Sequence, residues 1–331
     1  MRAVLLPETG GPDVLTLSEV PMPEPAEGQV LVRVEAAPIS LGETQIRAGL
    51  HPLPPLPAVL GAEVVGTVTA AGTRADPALV GTRVTAVTGG FGSYAEYVAV
   101  AAAALTVVPD GPAATDVAAV AASGATALAL IGRTEPGPGD TVLVQNAAGA
   151  VGGYLLQLLR QRGVGRIVAT VGSPARRDRV LALGADTVIG HDDRLGAAST
   201  RQPTEDLDPA AARDDDTIDV AYCCLGGPAT ESVLDALTPG TGRIIQYGNG
   251  NAQPVRYDGQ TLFYRGVTLL GAGGPDWYHE VLHVARPEIL ARLAAGRIRP
   301  LVDSVRPLAD AAAAHRAVDA RATNGRIVLV P

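Results

Sequence analysis

At 331 residues the chain is too long for one ordinary hydrophobic core, so two domains are the first expectation. Hydrophobic residues make up 47% and charged residues 18%, a balance that excludes wholesale disorder. The net charge of -8, from 26 basic against 34 acidic residues with no basic tract, argues against nucleic acid and anionic membranes as partners.

Pro7 and Glu8 interrupt the apolar opening too early for a signal-peptide core. Apolar stretches such as Val98–Val108 fall short of the ~20 residues that span a bilayer. Short strands separated by Gly and Pro turns are predicted at Arg2–Leu6, Val14–Glu19, Gln29–Ala37, Val64–Ala70, Arg83–Thr88 and Tyr94–Val100. The proline-rich stretch His51–Pro57 cannot be a helix interior and reads as a loop.

From Asp116 the pattern alternates helix and strand. Thr141–Gln145 has the apolar, β-branched character of a buried parallel strand. Val151, Tyr154, Leu155, Leu158 and Leu159 then mark one helical face that ends at Gly163. Strands follow at Arg166–Val171, Thr187–Ile189, Ile218–Cys223, Arg243–Tyr247 and Val267–Leu270. Helices are predicted from Ser173-Pro174 to Gly184 and around Glu231–Leu237. Asp192–Thr217 has little periodicity and reads as an exposed, mobile segment. Helices near His279–Gly296 and Leu308–Ala320 and a strand at Arg326–Val330 close the chain. The expectation is an α/β protein: a doubly wound parallel Rossmann sheet, residues 119–261, inserted in a discontinuous, mainly β domain of residues 1–118 and 262–331.

The strand–helix junction carries Ala147-Ala148-Gly149-Ala150-Val151-Gly152. It keeps two glycines of the dinucleotide-binding fingerprint and has Ala147 for the first. Gly149, Ala150, Val151 and Gly152 are therefore candidate cofactor contacts, with the pyrophosphate on the helix N-terminus. The next strand ends Thr170-Val171-Gly172-Ser173 without the carboxylate that grips a ribose in NAD-preferring folds. Ser173, Arg176 and Arg177 gather there instead, which suits a 2′-phosphate and favours NADP(H) over NAD. Ser173 could otherwise cap the helix, and the arginines could be a solvated face. Cys223 and Cys224 are the only cysteines; being adjacent, they read as packing thiols, and the reducing cytoplasm as the location.

With these residues in view, the chain resembles the zinc-independent quinone oxidoreductase (zeta-crystallin-like) branch of the medium-chain dehydrogenase/reductase superfamily. The likeness rests on Gly10-Gly11-Pro12, Arg47-Ala48-Gly49, Gly61-Ala62-Glu63, Ser93-Tyr94-Ala95-Glu96-Tyr97, the Ala/Gly loop, Leu183-Gly184-Ala185-Asp186 and Gly325-Arg326-Ile327-Val328-Leu329. It implies a GroES-like catalytic domain and transfer of hydride from NADPH to a quinone or an α,β-unsaturated carbonyl compound. An enoyl reductase of a secondary-metabolite pathway and a non-catalytic NADPH-binding protein are the alternatives. Zinc-dependent relatives have Cys near Ser40 and His at Ala62, so no metal is expected.

The resemblance also nominates site residues. Ser40 and Glu43 stand where quinone reductases have Asn and Asp near the nicotinamide. His51 replaces a Tyr of the substrate cleft and is the candidate proton donor, unless it is a plain surface histidine of a Pro-rich loop. Thr126 and Asn249 would border the cofactor. His191 and Arg326 replace a Tyr and a Lys and would serve its phosphates. Relatives dimerise by joining edge strands, here Val267–Leu270, which predicts a homodimer.

Overall fold

The computed structural model describes residues 1–53, 55–191, 193 and 217–331. The expectation for Asp192–Thr217 lies almost wholly outside the described residues. The chain forms two compact units, Met1–Ala125 with Val281–Pro331, and Thr126–Glu280.

The first unit begins with β1 (Arg2–Leu6), β2 (Thr16–Glu19) and β3 (Gln29–Pro38). Helix α1 (Leu41–Arg47) follows, then β4 (Ala58–Val59), β5 (Glu63–Ala71), β6 (Arg83–Val87), β7 (Tyr97–Ala101) and β8 (Leu105–Val107). Val30, Val32 and Val34 of β3 pack with Val64 and Val68 of β5, Val84 and Ala86 of β6 and Leu60 into one apolar core. Strands β3 and β5 approach so closely that a Cβ on Gly66 would lie 2.1 Å from the Arg33 carbonyl oxygen. Only glycine fits that crossing.

Helix α2 (Ala114–Thr134) runs from one unit into the other, the division falling after Ala125 rather than at the expected 118. Its 21 residues are long and apolar enough to cross a bilayer, unlike the shorter stretch Val98–Val108. Two-thirds of its most apolar window, 67%, is buried inside the protein, as in a core helix.

The second unit continues with β9 (Thr141–Val144), α3 (Ala150–Arg162), β10 (Arg166–Val171), α4 (Arg177–Ala182) and β11 (Thr187–Gly190). Then come β12 (Val220–Cys223), α5 (Pro228–Glu231), α6 (Val233–Ala236), β13 (Arg243–Gln246), α7 (Gly259–Arg265), β14 (Thr268–Gly271) and α8 (Pro275–His279). Its six strands run parallel in the order β11-β10-β9-β12-β13-β14, the doubly wound Rossmann order. Because β14 pairs with β13, the boundary expected at 261 moves to Glu280. The Leu183–Asp186 motif locks this sheet: Asp186 accepts the Ile167 N–H at 2.7 Å and pairs with Arg160, whose Nε donates to the Gly184 carbonyl.

A π-helical turn, Glu280–Ala285, leads back into the first unit and gives way to α9 (Arg286–Ala294). Pro287, with no N–H to donate, sits where the wide turn ends. β15 (Val302–Pro307), α10 (Ala311–Asp319) and β16 (Arg326–Val330) complete the seven-stranded sheet β15-β16-β3-β5-β6-β8, with β7 also on β3.

Candidate functional site

In the second unit the cofactor loop has the geometry its composition suggests. Asn146 takes the left-handed turn, at φ 51°, and the Ala147 N–H continues the ladder to the Thr170 carbonyl at 2.9 Å. The left-handed residue is thus an asparagine one position earlier, and Ala147 needs none of glycine's freedom. Gly149 is the N-cap of α3 and its own N–H goes to the Asn146 carbonyl at 2.9 Å, so the unpaired N–H groups at the start of that helix are those of Ala150–Gly152. A Cβ on Gly152 would lie 2.6 Å from the Asn146 oxygen and 2.7 Å from the Ala147 Cα. The close approach of helix to loop that a pyrophosphate needs is therefore built in.

At the ends of β10 and β11, His191 packs over Gly172, where a Cβ would be 3.2 Å from Nε2. Its Nδ1 is 2.7 Å from Thr170 Oγ1, which also accepts the Asn146 N–H at 3.2 Å. The imidazole tautomer sets which of the two side chains donates in this bond. Ser173 makes no side-chain capping bond, so its hydroxyl is not consumed by the turn that follows. Arg177 turns one donor inward to the Val188 carbonyl at 2.8 Å and so ties α4 to β11. Arg176 is half-buried in the turn Pro174–Arg176, and Thr126 is half-buried on α2. Asn249 is exposed after β13, its Oδ1 beside Gly226.

Gln145 is a functional-looking residue that the sequence reading passed over. Its Oε1 accepts from the Cys224 and Leu225 N–H groups and from Thr230 Oγ1, each at 3.1 Å, and its Nε2 donates to the Ala229 carbonyl. It ties the end of β9 to the turn after β12. The one available signal was a glutamine closing an otherwise apolar strand. Cys223 is buried and Cys224 half-buried, both as free thiols. Burial pushes the Cys224 thiol up to about 11 and the Cys223 thiol well above its usual value.

In the first unit Ser40 caps α1, and the motif Ser40-Leu41-Gly42-Glu43 is a capping box. Glu43 is 1% exposed, and its two oxygens accept the Ser40 N–H at 2.5 Å and the Ala62 N–H at 2.7 Å. Burial raises its carboxyl pKa against the pull of those bonds. Glu43 therefore clamps the helix start to the Ala62 turn. Ser40 remains half-buried. His51 is exposed, and Nε2 lies 3.1 Å from Gln45 Oε1, so the neutral ring offers Nδ1 only as an acceptor.

Arg326 is held by three partners. Its Nη2 donates to Ser123 Oγ at 2.8 Å and to Glu63 Oε1 at 3.2 Å, and Nη1 donates to the Ile39 carbonyl at 3.2 Å. At 9% exposure it ties the chain's last strand to Ser123, Glu63 and the Ile39 carbonyl. Among the described residues no group of His, Cys, Asp and Glu is arranged to hold a metal.

The fold and the glycine-lined loop define a two-unit, nicotinamide-nucleotide-dependent dehydrogenase/reductase. Family models match as an alcohol dehydrogenase GroES-like domain over residues 26–110 and as a zinc-binding dehydrogenase over 183–329. The second span excludes Ser40 and Ala62, so it does not bear on the catalytic metal positions. The chain is 32% identical to quinone oxidoreductase of Pseudomonas aeruginosa, over 97% of each chain. It is 29% identical to 2-haloacrylate reductase of a Burkholderia species, over 100% of this chain and 99% of the other. The crystal structure of Escherichia coli quinone oxidoreductase complexed with NADPH superposes with a TM-score of 0.82 at 27% identity, covering 100% of both chains. The chain belongs to the zinc-independent quinone oxidoreductase branch of the medium-chain dehydrogenase/reductases, and it is an oxidoreductase that uses a NAD(P) cofactor.

Proposed function

We propose that the chain is an NADPH-preferring, zinc-free reductase of quinones and α,β-unsaturated carbonyl compounds. The observation that carries this is the end of β10, where Gly172 replaces a ribose-gripping carboxylate and His191 and Ser173 supply polar groups instead. A carboxylate there would repel a 2′-phosphate, whereas imidazole, hydroxyl and guanidinium groups attract one. When bound, the reduced nicotinamide supplies the hydride. Gly149 to Gly152 hold the pyrophosphate on the α3 N-terminus. The Ser40 hydroxyl, half-buried at the start of α1 and hydrogen-bonded to Glu43, is the first-unit candidate for contact with the substrate.

The test is titration with both cofactors, read by nucleotide fluorescence, followed by steady-state oxidation with benzoquinone and a simple enone. NADPH binds at least tenfold more tightly than NADH, and Arg176→Ala narrows that ratio. Equal affinities overturn the NADPH preference. No oxidation with either acceptor overturns the reductase reading in favour of a plain nucleotide binder. Likeness to 2-haloacrylate reductase favours conjugated alkenes as a second acceptor class beside quinones.

The cytoplasm suits two free, adjacent thiols. A second copy of the chain is the proposed partner along β14, the edge strand of the parallel sheet. Phe263 and Tyr264, 78% and 68% exposed on the preceding helix α7, add apolar surface near it.

A further inference from the structure

Helix α9 carries a charge on the face it buries. Arg286 opens the helix at 1% exposure and lies on the same side as Ile289 and Leu293, which are also buried. Ile289 packs on α2 at Gly124, where a Cβ would stand 2.8 Å from its Cγ1. The residue before Gly124 is Ser123, whose hydroxyl accepts from Arg326, and Arg326 in turn holds Glu63. Glu63 is the carboxylate whose charge reaches Arg286. All these residues belong to the first unit.

Arg286 lacks the bonds a buried guanidinium requires. Its Nε and Nη1 have no hydrogen-bond partner among the described residues. Glu63 does not supply them, because the hydrogen bond it makes goes to Arg326. Glu43, which also acts on Arg326, spends its oxygens on the Ser40 and Ala62 N–H groups. Glu63 is thus already paired with Arg326, and the Arg286 Nε and Nη1 donors are left without a carboxylate among the described residues. An ionised group held out of water without hydrogen bonds is among the costliest features a fold can keep. Guanidinium donors fit oxyanions, and one unpartnered guanidinium matches a singly charged carboxylate better than a phosphate dianion.

We propose that Arg286, backed by the Glu63–Arg326 pair, is the binding site for a carboxylate monoanion, and that the carboxylate belongs to an α,β-unsaturated acid. The second half rests on the reductase reading above; the first half does not. The site makes Arg286 a specificity-determining residue, selecting acids among the conjugated alkenes the enzyme reduces.

The test uses the full chain without cofactor in thermal unfolding at fixed ionic strength, with sodium chloride replaced stepwise by acetate, crotonate or phosphate. Acetate and crotonate raise Tm in a saturable way, while phosphate does not. Arg286→Met abolishes the response, and Arg286→Lys, which keeps the charge, retains part of it. A wild type whose Tm responds equally to all anions, or to phosphate alone, overturns the site, as does an undiminished response in Arg286→Met. A second arm measures NADPH oxidation with crotonate and with methyl vinyl ketone. Arg286→Met raises the KM for the acid relative to that for the ketone at least tenfold, and an unchanged ratio overturns the substrate assignment. Should the wild type oxidise NADPH with neither, the reductase reading fails while the Tm series still decides the carboxylate site.

Discussion

Glu43 accepts the backbone N–H of Ala62 at 2.7 Å across 19 positions of sequence. With its other oxygen on Ser40, one carboxylate joins the two backbone positions at which zinc-dependent relatives carry ligands. Glutamine in its place offers one oxygen and leaves one N–H without an acceptor. Glu43→Gln is expected to cost roughly 1–3 kcal/mol, read from urea unfolding. An unchanged midpoint would show that the clamp carries no stability.

His315 sets an acid limit. It is fully buried, its Nε2 lies 3.3 Å from the Tyr94 hydroxyl, and Nδ1 is without a hydrogen-bond partner. Burial, with Arg47 nearby, lowers its pKa from 6.5 to about 4. A group that binds its proton more weakly when folded contributes stability fully above pH 6.5, and that contribution is lost as pH falls through 4. The difference amounts to about 3 kcal/mol. His315→Gln should therefore flatten the decline of stability between these pH values; parallel wild-type and variant curves would remove His315 as the cause.

Gly152 tests the cofactor loop. Alanine there meets backbone atoms of Asn146 and Ala147, which cannot yield as a flexible side chain would. Gly152→Ala should weaken NADPH binding at least tenfold, measured by fluorescence titration. Gly137→Ala, where nothing lies within 4 Å, should bind as the wild type does.

Dimerisation can be tested without harming the sheet. The Thr268 and Ala272 N–H groups point inward to the Gly242 and Gln246 carbonyls, so the alternate N–H groups of β14, at Leu269 and Gly271, point away from β13. Leu269→Pro removes an outward donor and spares the β13 ladder. Light scattering should show two chains for the wild type and one for Leu269→Pro at micromolar concentration. A monomeric wild type would exclude the edge-to-edge dimer.

The parallel sheet was legible because each buried strand is an unbroken apolar run followed by a helix with a single apolar face. Strands β4 and β8, of two and three residues, are too short to show a period. Helix α1 was missed although Ser40-x-x-Glu43 announces it, because a seven-residue helix ending in Arg47 has no apolar face to read. The hydrogen bonds that hold Glu43 were hidden with it. The burial of Arg326 was not legible because it depends on Ser123 of α2, distant in the chain. His191 was found through resemblance, but its support by Thr170 required the pairing of β10 with β11.

The two adjacent cysteines have a consequence for endurance. Quinones and enones are themselves alkylating agents, and they add to thiolates far faster than to thiols. Burial raises the Cys224 thiol to about 11 and holds the Cys223 thiol well above its usual value, so both sulfurs stay protonated near neutral pH. A reductase of such compounds meets its acceptors at every turnover, and each encounter is a chance of self-inactivation. Keeping both sulfurs protonated beneath the ends of the parallel strands lets this chain process electrophiles without becoming their target.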